Sequence, residues 1–142
     1  MKDRLIEQIL EHYNKYKNEI IKQIEEYSYR KRRYNVDFTL ALFMAEKELQ
    51  ISLIASSIRD TDKLIVLEKN LACVAFDFSS EESGLKATEN LLTRLEPKHF
   101  EHRLFVSVEN SHDYSDEDEQ VRRLLDTLVE EIQNGFDRLP MS

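Results

Sequence analysis

The sequence predicts an α+β fold, in which one antiparallel sheet is built in βαββαβ order. Three observations predict it: a long apolar run of strand formers, a pair of short strand-like stretches joined by a tight turn, and helical stretches between the strands. A further helix precedes the first strand and another follows the last, so the core is a ferredoxin-like arrangement extended at both ends. A chain of 142 residues suits one domain with an appended helix.

The first predicted element is a helix over residues 3–30, and we divide the chain into this helix (1–30) and a domain over 31–140. Its apolar side chains alternate spacings of three and four, like the a/d seam of a heptad repeat. The seam consists of Ile6, Ile9, Tyr13, Tyr16, Ile20, Gln23 and Tyr27, and Leu5, Leu10, Ile21 and Ile24 widen it. It is too short for an independent coiled coil, so the helix either pairs with a partner or packs on the domain. We favour a homodimer or protein-partner contact.

The predicted core begins with a strand over residues 36–45, whose nearly unbroken apolar run indicates cover on at least one face. A helix follows over 46–58. The stretches "KLIVL" and "LACVAFDF" then form an antiparallel hairpin around a short turn.

The second half of the predicted core contains two helices and one strand. Ser79 and Glu82 have the spacing of a capping box, which opens a helix that Pro97 ends. A strand over 103–110 alternates apolar and polar residues. The last helix opens at Ser115, carries a clean amphipathic stripe and ends near Gly135, with Pro140 beyond it.

Composition excludes several classes of function. The net charge of −8 disfavours nucleic-acid binding, and no stretch has the length of a membrane span. The charged N-terminus is unlike a signal peptide, so a cytoplasmic location is expected. The two glycines, Gly84 and Gly135, are far apart, which excludes a glycine-rich phosphate loop. The one cysteine, Cys73, lies in an apolar strand and is expected to be a buried, inert thiol.

Four stretches in this order resemble the GGDEF family, the diguanylate cyclases that condense two GTP molecules into cyclic di-GMP. They are "EEYSYRKRRYNVDFTLALF" at the family's entry helix and first strand, "IASSIRDTDKLIVL" before its signature hairpin, "FVSVEN" at its fourth core strand, and "DEDEQVRRLLDTLVEEIQNG" at its final helix. The resemblance covers residues 25–135 and implies a GGDEF-like fold.

The signature itself is missing. The hairpin turn reads "EKNLA", with Leu71 at the place of a metal-binding carboxylate, and Met44 stands where the family has a metal-binding aspartate, two residues before Glu46. Glu68 and Lys69 bring side chains where the family's glycines let the backbone approach the GTP phosphates. Only fourteen residues, 46–59, separate the first strand from Asp60. We therefore expect a degenerate, inactive domain with no cofactor and no metal.

Arg59 and Asp62 match the family's Arg-x-x-Asp motif, by which many members bind cyclic di-GMP away from the catalytic site. A guanidinium can clamp a phosphate or guanine edge, and a carboxylate can accept guanine N–H groups. The same two residues also suit a solvated helix end. Val66 occupies a position where the family often adds a further arginine.

The remaining motifs have ordinary structural explanations. The "RKRR" run (30–33) fits a solvated helix end or intramolecular salt bridges. The acidic run 113–119 fits a helix N-terminus, and His99 and His102 lack a third zinc ligand. The leading hypothesis is a catalytically inactive signalling or protein-interaction module. A cyclic di-GMP receptor is the second, and a small enzyme of unrelated chemistry on a ferredoxin-like sheet is the third.

Overall fold

The computed structural model describes residues 2–96 and 103–135, and its centre is a four-stranded antiparallel sheet with helices on both faces. A single 3-10 turn over Ser111–Asp113 joins the last strand to the last helix. In chain order the elements are α1 (Lys2–Glu11), α2 (Tyr13–Gln23), α3 (Glu25–Tyr34), β1 (Thr39–Ala45), α4 (Ile51–Ser57), β2 (Lys63–Glu68), β3 (Leu71–Phe76), α5 (Glu81–Leu95), β4 (Leu104–Asn110) and α6 (Glu117–Gly135).

The strands lie in the order β2-β3-β1-β4, and each neighbouring pair is antiparallel. Two crossovers, β1-α4-β2 and β3-α5-β4, carry their helices over the same face of the sheet. This is the ferredoxin-like order, so the predicted α+β class and βαββαβ core are confirmed.

β1 is the centre of the core, and all seven of its residues are buried. Alternate side chains point to opposite faces of a strand. Leu40 and Leu42 therefore join the cluster formed with α1, α2, α3 and α6, whereas Ala41 and Phe43 join the cluster formed with α4 and α5. Helical cover on both faces explains the unbroken apolar run.

The N-terminal helix does not protrude from the domain. It runs as α1, α2 and α3, which are joined through His12 and Ile24 with i→i−4 hydrogen bonds continuing across both joints. It packs along α6 and over the sheet. Its fully or nearly fully buried apolar side chains are Leu5, Ile9, Tyr16, Ile20, Ile24 and Tyr27.

The buried face differs from the predicted heptad seam. Ile6 and Tyr13 are only partly buried, while Leu5 and Ile24 take the central positions. The buried residues follow the repeat of a straight α-helix rather than the 3.5-residue repeat of a coiled coil. The seam that we assigned to a partner is thus covered by this chain's own sheet and α6.

Three predicted helix starts are shifted along the chain, and the first is that of α4, which begins at Ile51 and not at residue 46. The capping box of α5 is formed by Ser80 and Ser83, because Ser79 is buried and donates to Thr39 Oγ1 and the Phe76 carbonyl. α6 begins at Glu117, and the Asp116 carboxylate accepts from the Glu119 N–H at 2.9 Å. Pro97, His99, His102 and Pro140 lie outside the described residues.

Candidate functional sites

The turn between β2 and β3 is held by the N-terminal helix. The side-chain amides of Asn70 and Gln8 donate to one another at 3.0 Å in both directions. The Tyr16 hydroxyl donates to the Glu68 carboxylate at 3.1 Å, and Lys15 lies 3.7 Å from it. The polar side chains of the turn therefore anchor α1 and α2.

The backbone of this turn is also engaged by the rest of the chain. The Asn70 carbonyl accepts from the Ala45 N–H, and the Lys69 carbonyl accepts from the Leu49 N–H, both at 2.9 Å. In the described part of the chain, positive φ angles occur at Asn35 and Phe78, outside this turn. A turn without left-handed residues needs no glycine, which agrees with the sequence "EKN".

An open cleft of about 570 Å³ lies beside the turn. Its lining carries three basic and three acidic side chains, so neither sign of charge dominates: Arg4, Lys47, Lys69, Glu46, Glu48 and Glu68. Burial raises the pKa of Tyr16 to about 12. The hydrogen bond from Gln8 lowers this pKa, and the bond to Glu68 raises it. The phenol therefore stays protonated at neutral pH and cannot serve as a base.

Beneath the turn, Met44 and Leu71 are direct partners in the β1–β3 register. Both are fully buried in the cluster that α1, α2, α3 and α6 cover. Glu46, the nearest carboxylate along β1, accepts from the Arg103 backbone N–H, and its own N–H donates to the Arg103 carbonyl at 3.1 Å. It therefore closes the β1–β4 ladder.

Arg59 and Asp62 contact each other in the loop after α4. The Asp62 carboxylate accepts from the Arg59 backbone N–H at 2.9 Å, from its Nε at 3.2 Å and from its Nη2 at 2.9 Å. It also accepts from the Asp77 N–H at 2.9 Å, and its side chain is only 2% exposed. The bond and charge of Asp62 raise the pKa of Arg59, and burial opposes them.

Asp77, which the sequence analysis did not single out, ties this loop to the N-terminal helix. Its buried carboxylate accepts from Arg30 at 2.8 Å, while its carbonyl accepts from Arg59. The Arg30 guanidinium lies over the rings of Tyr27 and Phe78, 5.0 and 5.5 Å from their centroids. The only sequence signal was an aspartate directly after an apolar strand.

The comparisons with known proteins rest on structure, since no protein-family model and no curated protein sequence matches the chain. A DGC protein from Thermotoga maritima superposes with a TM-score of 0.67 at 10% identity, over 79% of this chain and 93% of that one. A microbial GGDEF domain, solved for its interaction with cyclic di-GMP, gives 0.60 at 12% identity over 78% and 81%. The diguanylate cyclase SiaD from Pseudomonas aeruginosa, in complex with its activator SiaC, gives 0.65 at 10% identity over 82% and 54%.

The chain has a GGDEF-like fold. This confirms the fold that the four sequence stretches implied.

The two positions that the sequence resemblance matches to metal-binding carboxylates are Met44 and Leu71, which form an apolar pair in the core. Within residues 2–96 and 103–135, no group of three or more His, Cys, Asp or Glu side chains could hold a metal ion. Neither side chain of this pair can serve as a ligand for a divalent cation.

Beside Arg59, the GGDEF-like fold has a groove along α5. Two adjoining depressions of about 230 and 350 Å³ share Arg59, Phe76, Ala87 and Asn90. Lys86 lines one depression and Arg94 the other. We call this surface the α5 groove. Neither Lys86 nor Arg94 stood out in the sequence, because both occupy ordinary solvent-facing positions of an amphipathic helix.

The other sequence candidates have structural roles. Cys73 is fully buried, and burial raises the pKa of its thiol. Three of the four basic residues at 30–33 form ion pairs: Arg30 with Asp77, Lys31 with Asp37, and Arg32 with Glu117. In the acidic run, Asp118 pairs with Lys17 and Arg122. None of the helices in the described ranges is long and apolar enough to cross a bilayer.

Proposed function

We propose that this chain is a catalytically inactive GGDEF-like module, which acts by binding other molecules and not by turning over GTP. The observation that carries the proposal is the apolar pair of Met44 and Leu71, buried directly opposite each other under the N-terminal helix. Condensing GTP requires divalent ions held by carboxylates. A buried methionine and leucine cannot supply them.

The test is incubation of the full chain with GTP and Mg²⁺ or Mn²⁺, with nucleotides separated by chromatography. We expect no cyclic di-GMP, while an active diguanylate cyclase run in parallel forms it. Product that disappears in the double variant Glu46→Gln/Glu68→Gln would show that the chain is itself an enzyme. That result would overturn the proposal.

A protein partner is part of the proposal. SiaD, a structural neighbour, was solved with an activator protein, which supports a partner of this kind. A homodimer or partner contact through residues 3–30 must then use outward-facing side chains, because the apolar face of these helices packs on this chain's own sheet and α6. The large exposed hydrophobic residues on α1, α2 and α3 are Leu10, Tyr29 and Tyr34.

A receptor for cyclic di-GMP is the second candidate function, and one observation favours it. Arg59 is 58% exposed at the α5 groove, where Lys86 and Arg94 add two further cations. These cations can bind phosphate groups. The microbial GGDEF domain solved for its interaction with cyclic di-GMP supports the same candidate.

Calorimetric titration with cyclic di-GMP tests this second candidate. Micromolar binding that is lost in Arg59→Ala and kept in Lys22→Glu, an exposed cation on α2, would establish a receptor. Absence of heat in the unmodified chain would rule it out. A small enzyme of unrelated chemistry has no supporting constellation within the described residues.

A further inference from the structure

The α5 groove is a cationic surface on an acidic protein. Lys86 and Arg94 lie eight residues apart on one helix, about 12 Å along its axis. In the described part of the chain Lys86 forms no ion pair, and Arg94 reaches only the Ser57 hydroxyl, at 3.4 Å. The chain as a whole carries a net charge of −8. The groove therefore favours an anionic ligand.

The acidic group in the lining is already satisfied. Asp62 accepts four hydrogen bonds from Arg59 and Asp77, and its side chain is almost fully covered. It has no surface left to accept the N–H groups of a nucleobase. Recognition in the α5 groove therefore depends on cations and apolar contact rather than on a base edge.

The floor of the groove is apolar, and an exposed aromatic ring stands at one end. Phe76 and Leu91 are buried beneath the cationic rim, whereas Phe78 is 64% exposed. Phe78 has a φ of 48°, which lies in the left-handed region that a phenylalanine rarely adopts. Hydrogen bonds from the backbone N–H groups of Asp77 and Phe78 hold this part of the chain, and the Arg30 guanidinium lies 5.5 Å from the centroid of the Phe78 ring. Aromatic and arginine side chains are enriched at protein interfaces.

We propose that the α5 groove binds an extended acidic segment of a partner protein, with carboxylates on the cationic rim and an apolar side chain against Phe76 and Phe78. Successive residues of an extended chain point to opposite sides, so acidic and apolar side chains can alternate between rim and floor. This inference names the partner class for the binding module proposed above and rests on that proposal.

Selection from a random-peptide phage library on the immobilised full chain tests the proposal. Selected peptides are synthesised, and their affinity is measured by fluorescence anisotropy. We expect acidic peptides with apolar residues between the carboxylates. The double variant Lys86→Glu/Arg94→Glu should weaken their binding by about tenfold or more, and added salt should weaken it further.

Two further variants separate the groove from general charge. Lys2→Glu/Lys22→Glu makes the same change in charge on α1 and α2, which pack on the opposite face of the sheet, and should leave the affinity unchanged. Phe78→Ala should weaken binding while the net charge stays constant. Circular dichroism and thermal melting confirm that each variant is folded.

Several outcomes would overturn the proposal: no enrichment of acidic peptides, peptides that bind Lys86→Glu/Arg94→Glu equally well, or cyclic di-GMP binding that is lost in that variant and displaces the peptide. The last outcome would make the groove a nucleotide site. Formation of cyclic di-GMP from GTP would instead overturn the proposed function. The peptide-binding assay tests the groove and the GTP assay tests the proposed function, so failure of one is distinguishable from failure of the other.

Discussion

Gly84 lies where α5 crosses the first residue of β1. A Cβ at this position would stand 2.0 Å from Thr39 Oγ1 and 2.5 Å from Thr39 Cβ. Thr39 is unable to move aside, because its hydroxyl accepts from Ser79 Oγ and from the Asn110 amide at 3.0 and 2.8 Å. The glycine is therefore required by close packing of a helix on a strand.

Gly84→Ala should lower the free energy of unfolding by about 1 to 3 kcal/mol, although alanine is the better helix former. The clash can be relieved only by moving α5 away from β1. Urea unfolding measures the effect, and Glu89→Ala on the exposed side of α5 should change stability by about 0.5 kcal/mol or less. Equal stability of the two variants would show that α5 tolerates a Cβ here.

Asp37, in the loop before β1, joins α3 to the 3-10 turn through its carboxylate. It accepts from Lys31 Nζ at 2.7 Å and from Ser111 Oγ at 3.0 Å. Burial tends to raise its pKa, but the bonds from Lys31 and Ser111 outweigh burial and the net pKa is lowered. A carboxyl whose pKa falls on folding stabilises the protein above its unfolded pKa, near 3.9, and loses that contribution as the pH falls through the folded value.

Asp37→Asn should therefore destabilise the protein at pH 7, by about 1 to 2 kcal/mol. The difference from the unmodified chain should shrink as the pH falls below about 4, because the unfolded chain then takes up the proton at Asp37 more readily than the folded protein does. Urea unfolding at pH 7 and pH 3 measures both values. A difference that stays the same at the two pH values would contradict the assignment of the stabilisation to the charged carboxylate.

At the scale of elements, the N-terminal helix belongs to the core. Ile20 is fully buried between α6 and the sheet, whereas Leu10, on the same run of helices, is 59% exposed. The helix is also held by polar contacts to the β2–β3 turn through Gln8 and Tyr16. Its position is thus set by an apolar face and by bonds to a specific turn.

Ile20→Ala should lower the free energy of unfolding by about 2 to 5 kcal/mol, because it opens a cavity in the main core. Leu10→Ala removes a similar volume from the surface and should change stability by about 0.5 kcal/mol or less. Chemical unfolding compares the two variants. If Ile20→Ala were as mild as Leu10→Ala, the helix would not be packed as described.

At the scale of the whole molecule, the sheet lies between two helical layers. One cluster of buried side chains contains residues of α1, α2, α3, the sheet and α6 together. Removal of the N-terminal layer would leave α6 to cover the sheet face that carries Leu40, Leu42 and Met44, so part of this face would be exposed to water. An uncovered apolar sheet face of this size is unstable in water.

A chain that lacks residues 1–30 should therefore fail to form a stable domain, and the full chain should unfold in a single transition. Gel filtration and circular dichroism of the shortened chain check this. A soluble, folded species over residues 31–142 would instead show that the helix is a separate appendage, as the sequence division at residue 30 implied.

The sequence by itself determined the order of the elements, the ferredoxin-like core and the absence of a glycine-rich loop. Periodicity, turn residues and glycine count are local properties, which a chain carries before it folds. The sequence also indicated which residues of the first helix are apolar, and most of those residues are buried. It could not say what covers them, because an apolar stripe fits a partner helix or the chain's own sheet equally well.

Only the tertiary structure decided how the candidate residues are used. Arg59 and Asp62 do lie together, as the motif implied. The Asp62 carboxylate, however, already accepts hydrogen bonds from Arg59 and from the N–H of Asp77, fifteen residues away in sequence. The α5 groove likewise needs a loop after α4 and a face of α5 to meet. Such contacts depend on the relative placement of distant segments, which the packing of the whole core fixes and no local pattern records.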